Sequence, residues 1–152
     1  MEIEHKYLVE GDFRPLVSET VHIVQGYLSD DPSRTVRVRT VGDRAWLTIK
    51  GKSSASGLSR YEWEKEIAHT EALELLGLCL PGVIDKHRHI VLYSGCRWEV
   101  DEFHGSLEGL VLAELEVESE DAVFDLPPFI GKEVTGDKRY YNSQLRKAEL
   151  KA

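Results

Sequence analysis

Charged side chains recur two residues apart along most of this 152-residue chain, and neighbours at that spacing usually share a sign. Side chains two apart on a β-strand point to the same face, so each pair would place like charges on one surface. A solvated sheet face explains one such pair, but it gains from mixing signs, because adjacent like charges are mildly destabilising. The sorting favours one wall that binds an anion and another that binds cations. The cationic pairs are Arg37 with Arg39, Lys50 with Lys52, and Lys86 with Arg88; the acidic pairs are Glu62 with Glu64, Glu99 with Asp101, and Glu114 with Glu116; and Glu2 and Glu4 precede Lys6.

The number and type of the cations favour a polyphosphate ligand. They exceed what one or two negative charges require, and phosphoryl oxygens use both the guanidinium fork and the ammonium point charge. Oxygen-only carboxylate ligands without cysteine favour a hard cation such as Mg²⁺ or Mn²⁺ over zinc. His87 and His89 share a strand face, but they face away from Lys86 and Arg88 and lack a third partner. We expect surface or packing roles for these two histidines.

The elements that must position these charges are mostly strands. Period-two alternation of apolar and polar residues predicts eight of them. Turn residues at Val41–Arg44 and at Tyr93–Cys96 predict two antiparallel hairpins. Helical patterns cover Thr70–Cys79 and a C-terminal stretch that begins at Thr135 or Asp137 and runs through Lys147. The predicted strands are Glu2–Val9, Val21–Ser29, Arg34–Val41, Arg44–Lys50, Arg60–Ile67, Val83–Tyr93, Arg97–Phe103 and Leu110–Glu118.

Eight antiparallel strands that close on themselves would surround one lumen with these charges and leave no exposed sheet edge. We therefore predict a mainly β protein: a closed eight-stranded antiparallel β-barrel with a few helices outside it. No linker, repeat or low-complexity run divides the chain, so residues 1–152 are predicted to form a single domain.

Composition narrows the partners and the compartment. The formal net charge of -8 disfavours nonspecific binding to DNA or to an anionic membrane, although it permits a small anionic ligand. The acidic N-terminus is unlike a signal peptide, and no apolar run approaches the roughly 18 residues of a membrane span, so we predict a cytoplasmic protein. Cys79 and Cys96 lie in apolar surroundings without metal-ligand spacing, which favours buried thiols over a disulfide.

Taken in order, these motifs resemble the CYTH, or triphosphate tunnel metalloenzyme, superfamily, over nearly the whole chain. The hallmark ExExK of that family corresponds to Glu2-Ile3-Glu4-His5-Lys6. The likeness continues through RVR at Arg37–Arg39, TIKGK at Thr48–Lys52, YEWE at Tyr61–Glu64, KHR at Lys86–Arg88, WEVDEF at Trp98–Phe103 and LAELEVE at Leu112–Glu118.

The resemblance implies an eight-stranded tunnel that binds a triphosphate along its length and uses Mg²⁺ or Mn²⁺. It also implies that Val134–Leu145 contributes to a terminal helix that closes one tunnel mouth. Tyr27 resembles the tyrosine of the family's GYL segment, although a core or rim aromatic fits that position equally well. Lys138 fits either a ligand contact or a solvated helix position.

On this basis we assign roles to three sets of residues. Phosphate contacts are expected from Lys6, Arg37, Arg39, Lys50, Lys52, Lys86 and Arg88. The principal metal is expected at Glu2, Glu4, Glu114 and Glu116. A second metal, or orientation of the attacking water, is expected from Glu62, Glu64, Glu99 and Asp101, and Lys86 is also a catalytic candidate.

The expected activity is hydrolysis of inorganic tripolyphosphate to pyrophosphate and phosphate, since the compact chain shows no extra segment for a large organic group. Several activities remain open on the same scaffold: adenylate cyclisation of the class IV type, thiamine triphosphatase activity and nucleoside triphosphatase activity. An alternative of another class is a noncatalytic polyphosphate-binding module. No Walker loop or nucleophile elbow supports other phosphoryl or acyl chemistry. The sequence leaves open whether the chain forms a homodimer.

Overall fold

The computed structural model describes residues 1–145, which form nine strands and two short α-helices. The helices are α1 (His69–Leu76) and α2 (Asn142–Leu145), and single 3₁₀ turns cover Arg14–Leu16, Gly105–Leu107 and Lys138–Tyr140. The strands are β1 (Glu2–Val9), β2 (Val17–Ser29), β3 (Arg34–Val41), β4 (Arg44–Ser53), β5 (Ser59–Ile67), β6 (Ile84–Tyr93), β7 (Cys96–Phe103), β8 (Val111–Glu116) and β9 (Ile130–Glu133).

The strands form one antiparallel sheet in the order β5-β4-β3-β2-β6-β7-β8-β1-β9. Pairing of β1 with β5, through Glu2 with Arg60 and Ile3 with Ser59, closes the first eight strands into a barrel. The predicted closed eight-stranded barrel is confirmed. The ninth strand was not predicted: β9 is only four residues long and pairs with β1 beyond the closure.

Element boundaries differ from the predictions where polar residues break the alternation. Strand β2 begins at Val17, four residues before the predicted start, and β4 continues to Ser53. Helix α1 begins at His69, and the Glu71 carboxylate accepts a hydrogen bond from the Ala68 N–H at its start. Thr70, the predicted cap, therefore lies inside the helix. The predicted C-terminal helix is a 3₁₀ turn followed by α2, and its continuation through Lys147 lies outside the described residues.

Both predicted hairpins are confirmed. Val41 pairs with Arg44 across Gly42, whose φ is 60°. Tyr93 pairs with Cys96, and the two turn residues, Ser94 and Gly95, have φ of 47° and 78°. Two consecutive positive φ values are typical of the turns that match the twist of antiparallel strands.

The main apolar core lies outside the barrel wall. Trp98 and Val100, on the face of β7 opposite its acidic residues, are fully buried against Tyr7, Leu115 and Phe13. A second cluster forms where α1 covers β3 and β4. Burial of apolar surface outside the wall stabilises the fold without filling the lumen.

One end of the lumen is also apolar. Phe103, Leu112 and Ile84 pack together there with Leu107, Leu110, Val134 and Leu145. Leu145 belongs to α2, so the C-terminal segment packs against this end of the barrel. The inward-facing positions of several strands therefore change from apolar to charged along their length.

The loop between β4 and β5 meets the C-terminal segment at two glycines. A Cβ at Gly57 would lie 2.2 Å from Gly136 Cα, and both residues have φ near 78°. Only glycine tolerates this close backbone approach together with a positive φ. Cys79 and Cys96, by contrast, are both free and partly buried, as expected for unpaired thiols.

Candidate active site

A cavity of about 210 Å³ lies inside the barrel. Among the described residues, six cationic and seven acidic side chains line it, together with hydroxyl and amide groups. The cations are Lys6, Arg37, Arg39, Lys50, Arg60 and Arg88, and the acids are Glu2, Glu4, Glu62, Glu64, Glu99, Glu114 and Glu116.

The charges are sorted into two walls of four adjacent strands each. Strands β4, β3, β2 and β6 form the basic wall, whose inward cations are Lys50, Arg37, Arg39 and Arg88. Strands β7, β8, β1 and β5 form the acidic wall and carry all seven glutamates of the lining. Lys6 and Arg60 are the two lining cations on the acidic wall.

Lys50 joins the two walls along one side of the tunnel. Its Nζ lies 2.7 Å from Glu2 Oε1 and 3.4 Å from Glu62 Oε2. Burial opposes the charged amine, but Glu2 and Glu4 raise the pKa of Lys50 above its ordinary value. Burial alone would raise the pKa of Glu2, yet its contact with Lys50 lowers it. Lys50 and Glu2 are therefore both ionised at neutral pH.

Asp101 joins the walls on the opposite side. Its carboxylate accepts hydrogen bonds from Lys86 Nζ at 2.7 Å and from Arg88 Nε and Nη2 at 2.8 and 2.9 Å. Burial opposes ionisation of Asp101, but Arg88 and Lys86 hold its pKa well below the ordinary value. Burial, aided by Arg88, lowers the pKa of Lys86 to about 8 despite the contact with Asp101.

The structure does not bring Lys86 and Asp101 into the cavity. Both side chains are fully buried, and neither is among the lining residues. Their contacts instead hold the Arg88 guanidinium in position, while Arg88 itself faces the cavity and also contacts Glu99 at 3.3 Å. The charge of Lys86 or of Asp101 alone would suit a catalytic role. Because the two side chains contact each other inside the wall, their charges pair there and do not face the cavity.

Carboxylates face one another on the acidic wall. Glu4 is directly opposite Glu116, and Glu99 is directly opposite Glu114 in the strand register. Burial, with Glu114 and Glu2, raises the pKa of Glu4 well above its ordinary value. Burial also raises the pKa of Glu116, with contributions from Glu2 and Glu99. Like charges directly opposite are destabilising, so this wall favours a bound cation.

The acidic wall provides the donor chemistry of a hard-metal site. Glu2, Glu4, Glu114 and Glu116 all line the cavity, and Glu114 Oε1 is buried without a hydrogen-bond partner among the described residues. Burial would raise the pKa of Glu114, but Lys6, whose Nζ lies 3.7 Å away, and Arg88 lower it to about 2. An ionised carboxylate oxygen that accepts no hydrogen bond suits Mg²⁺ or Mn²⁺.

These carboxylates are not yet arranged around one point. Within the described part of the chain, no three His, Cys, Asp or Glu side chains are already placed to hold a metal ion. Lysines instead contact two of the expected ligands, since Lys50 contacts Glu2 and Lys6 contacts Glu114. A divalent cation held by these carboxylates would compete with the two ammonium groups for them.

The two inward arginines of β3 are short of acceptors. Their Nη2 atoms lie 3.9 and 3.8 Å from Glu64 Oε2, and their buried Nε atoms have no hydrogen-bond partner among residues 1–145. Burial, then Arg37 and Arg88, lowers the pKa of Arg39 to about 10. Crowded cations with unused donors are the arrangement expected for a multiply charged anion.

Lys52 and Arg60 depart from the predicted alternation. Lys50 pairs with Glu62, but the next pair joins Ser53 to Arg60, so β4 has one extra residue in a β-bulge. The bulge turns Lys52 outward, where it is exposed, and leaves Arg60 in the lining. The prediction that Lys52 shares the charged face of Lys50 was wrong because alternation stops at a bulge.

Arg60 was not predicted as a site residue, although its spacing from the acidic residues of the same strand indicated a shared face. It lies two residues before Glu62 and four before Glu64, on one strand face. Its Nε donates to the Gly51 carbonyl at 3.2 Å, and its guanidinium lies 5.4 Å from the centre of the Tyr141 ring.

The C-terminal segment, which the family resemblance places at a tunnel mouth, adds polar groups that were not among the predicted site residues. Tyr141, Asn142 and Ser143 line the cavity, and Tyr27 also lies in the lining. Lys138 is exposed and does not line the cavity as described. No local pattern identifies the C-terminal residues, because they reach the lumen only when the chain folds back on the barrel.

Comparisons with known proteins agree with this geometry. Residues 1–149 match the model of the CYTH domain family. The inorganic triphosphatase of Acetivibrio thermocellus is 48% identical over 151 residues, 99% of this chain and 96% of that protein. The inorganic triphosphatase of Nitrosomonas europaea is 40% identical over 149 residues, 95% of each. The crystal structure of the inorganic triphosphatase NE1496 has a TM-score of 0.66 at 34% identity, covering 97% of this chain and 95% of that one.

Within residues 1–145, no helix is long and apolar enough to cross a membrane.

Asp101→Asn should destabilise the protein by about 3 to 5 kcal/mol, because it leaves Lys86 and Arg88 buried without their counter-charge. Since the folded pKa of Asp101 is depressed, its stabilising effect is full above the unfolded value of about 3.9 and is lost as pH falls below it. Urea denaturation from pH 7 to pH 3 should therefore show the difference from wild type shrinking. The control is Glu66→Gln, which breaks an exposed contact with Arg44 and should cost no more than about 1 kcal/mol. Equal losses in the two variants would contradict the structural role of Asp101.

Proposed function

This chain belongs to the CYTH domain family, and on that premise we propose that it hydrolyses inorganic tripolyphosphate to pyrophosphate and phosphate with a divalent cation. The two relatives compared above are inorganic triphosphatases that match nearly the full chain. The observation that carries the proposal is the cavity itself, where a cationic wall faces an acidic one.

The charge count of the lining supports a need for metal. The lining has seven glutamates and six cationic side chains, so it has no net positive charge with which to bind a polyanion. Divalent cations on the acidic wall would neutralise those glutamates and release the basic wall for phosphate. A noncatalytic phosphate-binding module would not need the acidic wall, so this alternative is disfavoured.

The size and lining of the cavity favour a compact substrate. Its volume of about 210 Å³ is below the roughly 300–1,000 Å³ typical of sites for drug-sized organic ligands. Among the described lining residues, Leu58, Tyr27 and Tyr141 supply the larger apolar groups. Adenine or the thiamine rings would need more apolar surface, so we favour inorganic tripolyphosphate over the nucleotide and thiamine alternatives.

We assign phosphate contacts to the lining cations. Arg37 and Arg39 have unused guanidinium donors, and Lys50 and Lys6 are released when metal takes their carboxylates. Arg88 contacts phosphate in a position fixed by Asp101, so Lys86 and Asp101 act as positioning residues behind it. Arg60 joins this set in place of Lys52.

We assign the metal to Glu2, Glu4, Glu114 and Glu116 and name Mg²⁺ or Mn²⁺ from their all-oxygen chemistry. Bound there, the cation would neutralise developing charge on the phosphoryl oxygens and lower the pKa of water. Glu64, on β5 of the acidic wall, lies within 4 Å of the two inward arginines. We assign orientation of the attacking water to Glu64 and to Glu62 on the same strand. Glu99 is the remaining candidate for a second metal.

The cytoplasmic location and the single domain stay predictions, and the sequence leaves open whether the chain forms a homodimer.

The first test measures phosphate release from tripolyphosphate, ATP and thiamine triphosphate side by side after the protein has been stripped of metal. We expect no release without added cation, and turnover with Mg²⁺ or Mn²⁺ that favours tripolyphosphate. Ca²⁺, which is larger and accepts irregular coordination, should support less turnover. Full activity in excess chelator would contradict the metal-dependent reaction. Cyclic AMP as the main product from ATP would favour the cyclase.

The second test compares two lysines two residues apart. Lys50→Ala should lower kcat/KM for tripolyphosphate by about 10- to 100-fold, the loss expected from one charge-assisted contact. Lys52→Ala should stay within about twofold of wild type, because its side chain is exposed outside the cavity. Thermal melts check that both variants fold. An equal loss in both variants would contradict the bulge and the assignment that follows from it.

The third test separates metal binding from phosphate binding. Glu116→Gln keeps the shape of a proposed metal ligand but removes its charge, so turnover should collapse while tripolyphosphate still binds. Excess Mn²⁺ should recover part of the rate. Glu118→Gln, an exposed change just beyond β8, is the matched control and should leave activity unchanged. Wild-type turnover and metal dependence in Glu116→Gln would remove this strand from the metal site.

A further inference from the structure

The closure of the barrel between β1 and β5 is short. Among the described residues only two residue pairs join these strands, whereas β1 and β8 pair at five positions. Beyond the closure the C-terminal segment follows β1: the Val134 N–H donates to the Lys6 carbonyl at 2.8 Å, and the Lys6 N–H donates to Thr135 Oγ1 at 2.9 Å. Lys6 and Arg60, the two lining cations of the acidic wall, lie on the two strands that this short closure joins.

Tyr141, in the same C-terminal segment, contacts both of these cations. Its side chain is buried and lines the cavity. The centre of its ring lies 5.4 Å from the Arg60 guanidinium carbon and 6.0 Å from Lys6 Nζ. Its hydroxyl lies 3.2 Å from Ser53 Oγ at the end of β4. One side chain therefore contacts three strands, β1, β4 and β5, at the lining of the cavity.

Neutral groups hold Arg60 in place. Its Nε donates to the Gly51 carbonyl at 3.2 Å, and its Nη2 donates to the Pro32 carbonyl at 3.4 Å. Glu2, directly opposite in the strand register, instead contacts Lys50 at 2.7 Å, and none of the ion pairs within residues 1–145 includes Arg60. An aromatic face attracts a cation without neutralising it. The guanidinium therefore keeps its full charge for an anion.

We propose that Tyr141 is a positioning residue for the binding of tripolyphosphate. Its ring holds the Arg60 guanidinium, and by a longer contact the Lys6 ammonium, at the cavity, while its hydroxyl anchors the ring to Ser53. Without the ring these long side chains would reach more orientations, and they would then lose more conformational entropy on binding phosphate. The inference rests on the proposed function, because it takes Arg60 and Lys6 as phosphate contacts.

The test compares tripolyphosphate turnover with Mg²⁺ in wild type and in Tyr141→Leu, which removes the ring but keeps an apolar side chain. We expect KM to rise roughly 3- to 30-fold, the range for loss of one or two cation–π contacts, with kcat within about twofold of wild type. A rise in KM at constant kcat indicates lost substrate binding, whereas a smaller folded fraction would lower the apparent kcat and leave KM unchanged.

Tyr61→Leu is the matched control. Tyr61 precedes Glu62 and directly follows Arg60 on β5, but its side chain is exposed and does not line the cavity as described. Both KM and kcat should therefore stay within about twofold of wild type. An equal rise in KM in Tyr61→Leu and Tyr141→Leu would overturn the proposal.

A double-mutant cycle shows whether the ring acts through Arg60. Residues in contact show non-additive effects, whereas independent residues add. In an Arg60→Ala background, the rise in KM caused by Tyr141→Leu should be at least about twofold smaller than in the wild-type background. Equal increases in the two backgrounds would overturn the proposal.

Two further replacements separate the ring from the hydroxyl. Tyr141→Phe keeps the ring and loses only the contact with Ser53, so KM should stay within about twofold of wild type. Replacement of Tyr141 by trifluorophenylalanine keeps the shape of phenylalanine but withdraws negative charge from the ring face, so KM should exceed that of Tyr141→Phe. Equal KM values in these two proteins would overturn the proposal, and the comparison decides the matter even if Tyr141→Leu fails to fold.

Wild type separates this inference from the proposed function. Absence of tripolyphosphate hydrolysis in wild type would overturn the proposed function and this inference with it. Hydrolysis by wild type with an unchanged KM in a folded Tyr141→Leu protein, as checked by thermal melts, would overturn the inference alone.

Discussion

The pairing of opposite charges at the two seams between the walls is the interaction on which the rest of the site depends. A closed barrel with a basic wall and an acidic wall has two lines where the signs meet. Lys50 with Glu2 occupies one line, and Arg88 with Asp101 and Lys86 occupies the other. Burying a charge costs free energy unless the charge is paired and hydrogen-bonded, so these contacts offset the cost of a charged lumen.

The charged interior in turn decides where the apolar core must lie. Inward positions are largely unavailable for packing, so Trp98 and Val100 bury their side chains on the outside of β7, and α1 covers β3 and β4. The lumen becomes apolar only at the end that α2 contacts. Cations and acids can therefore face the cavity from rigid strands, which hold functional groups more accurately than loops do.

Away from the seams, each wall retains unbalanced charge. Glu4 and Glu116 face each other directly, and Arg39 has a lowered pKa among its cationic neighbours. These are local costs that a metal ion and a polyanion would relieve together, since each ligand offsets the repulsion within one wall.

Sequence alone determined which residues share a strand face, because alternation with period two is a local property of extended backbone. The predicted barrel, both hairpins and the sorting of charge signs all depend on that property. Tertiary structure decided what alternation does not encode. The bulge that turns Lys52 outward arises from the register between two strands, and burial of Asp101 depends on contacts with a neighbouring strand. Likewise, His22 meets His87 only through strand pairing across more than sixty intervening residues, and such pairing is set by the whole fold and not by any local pattern.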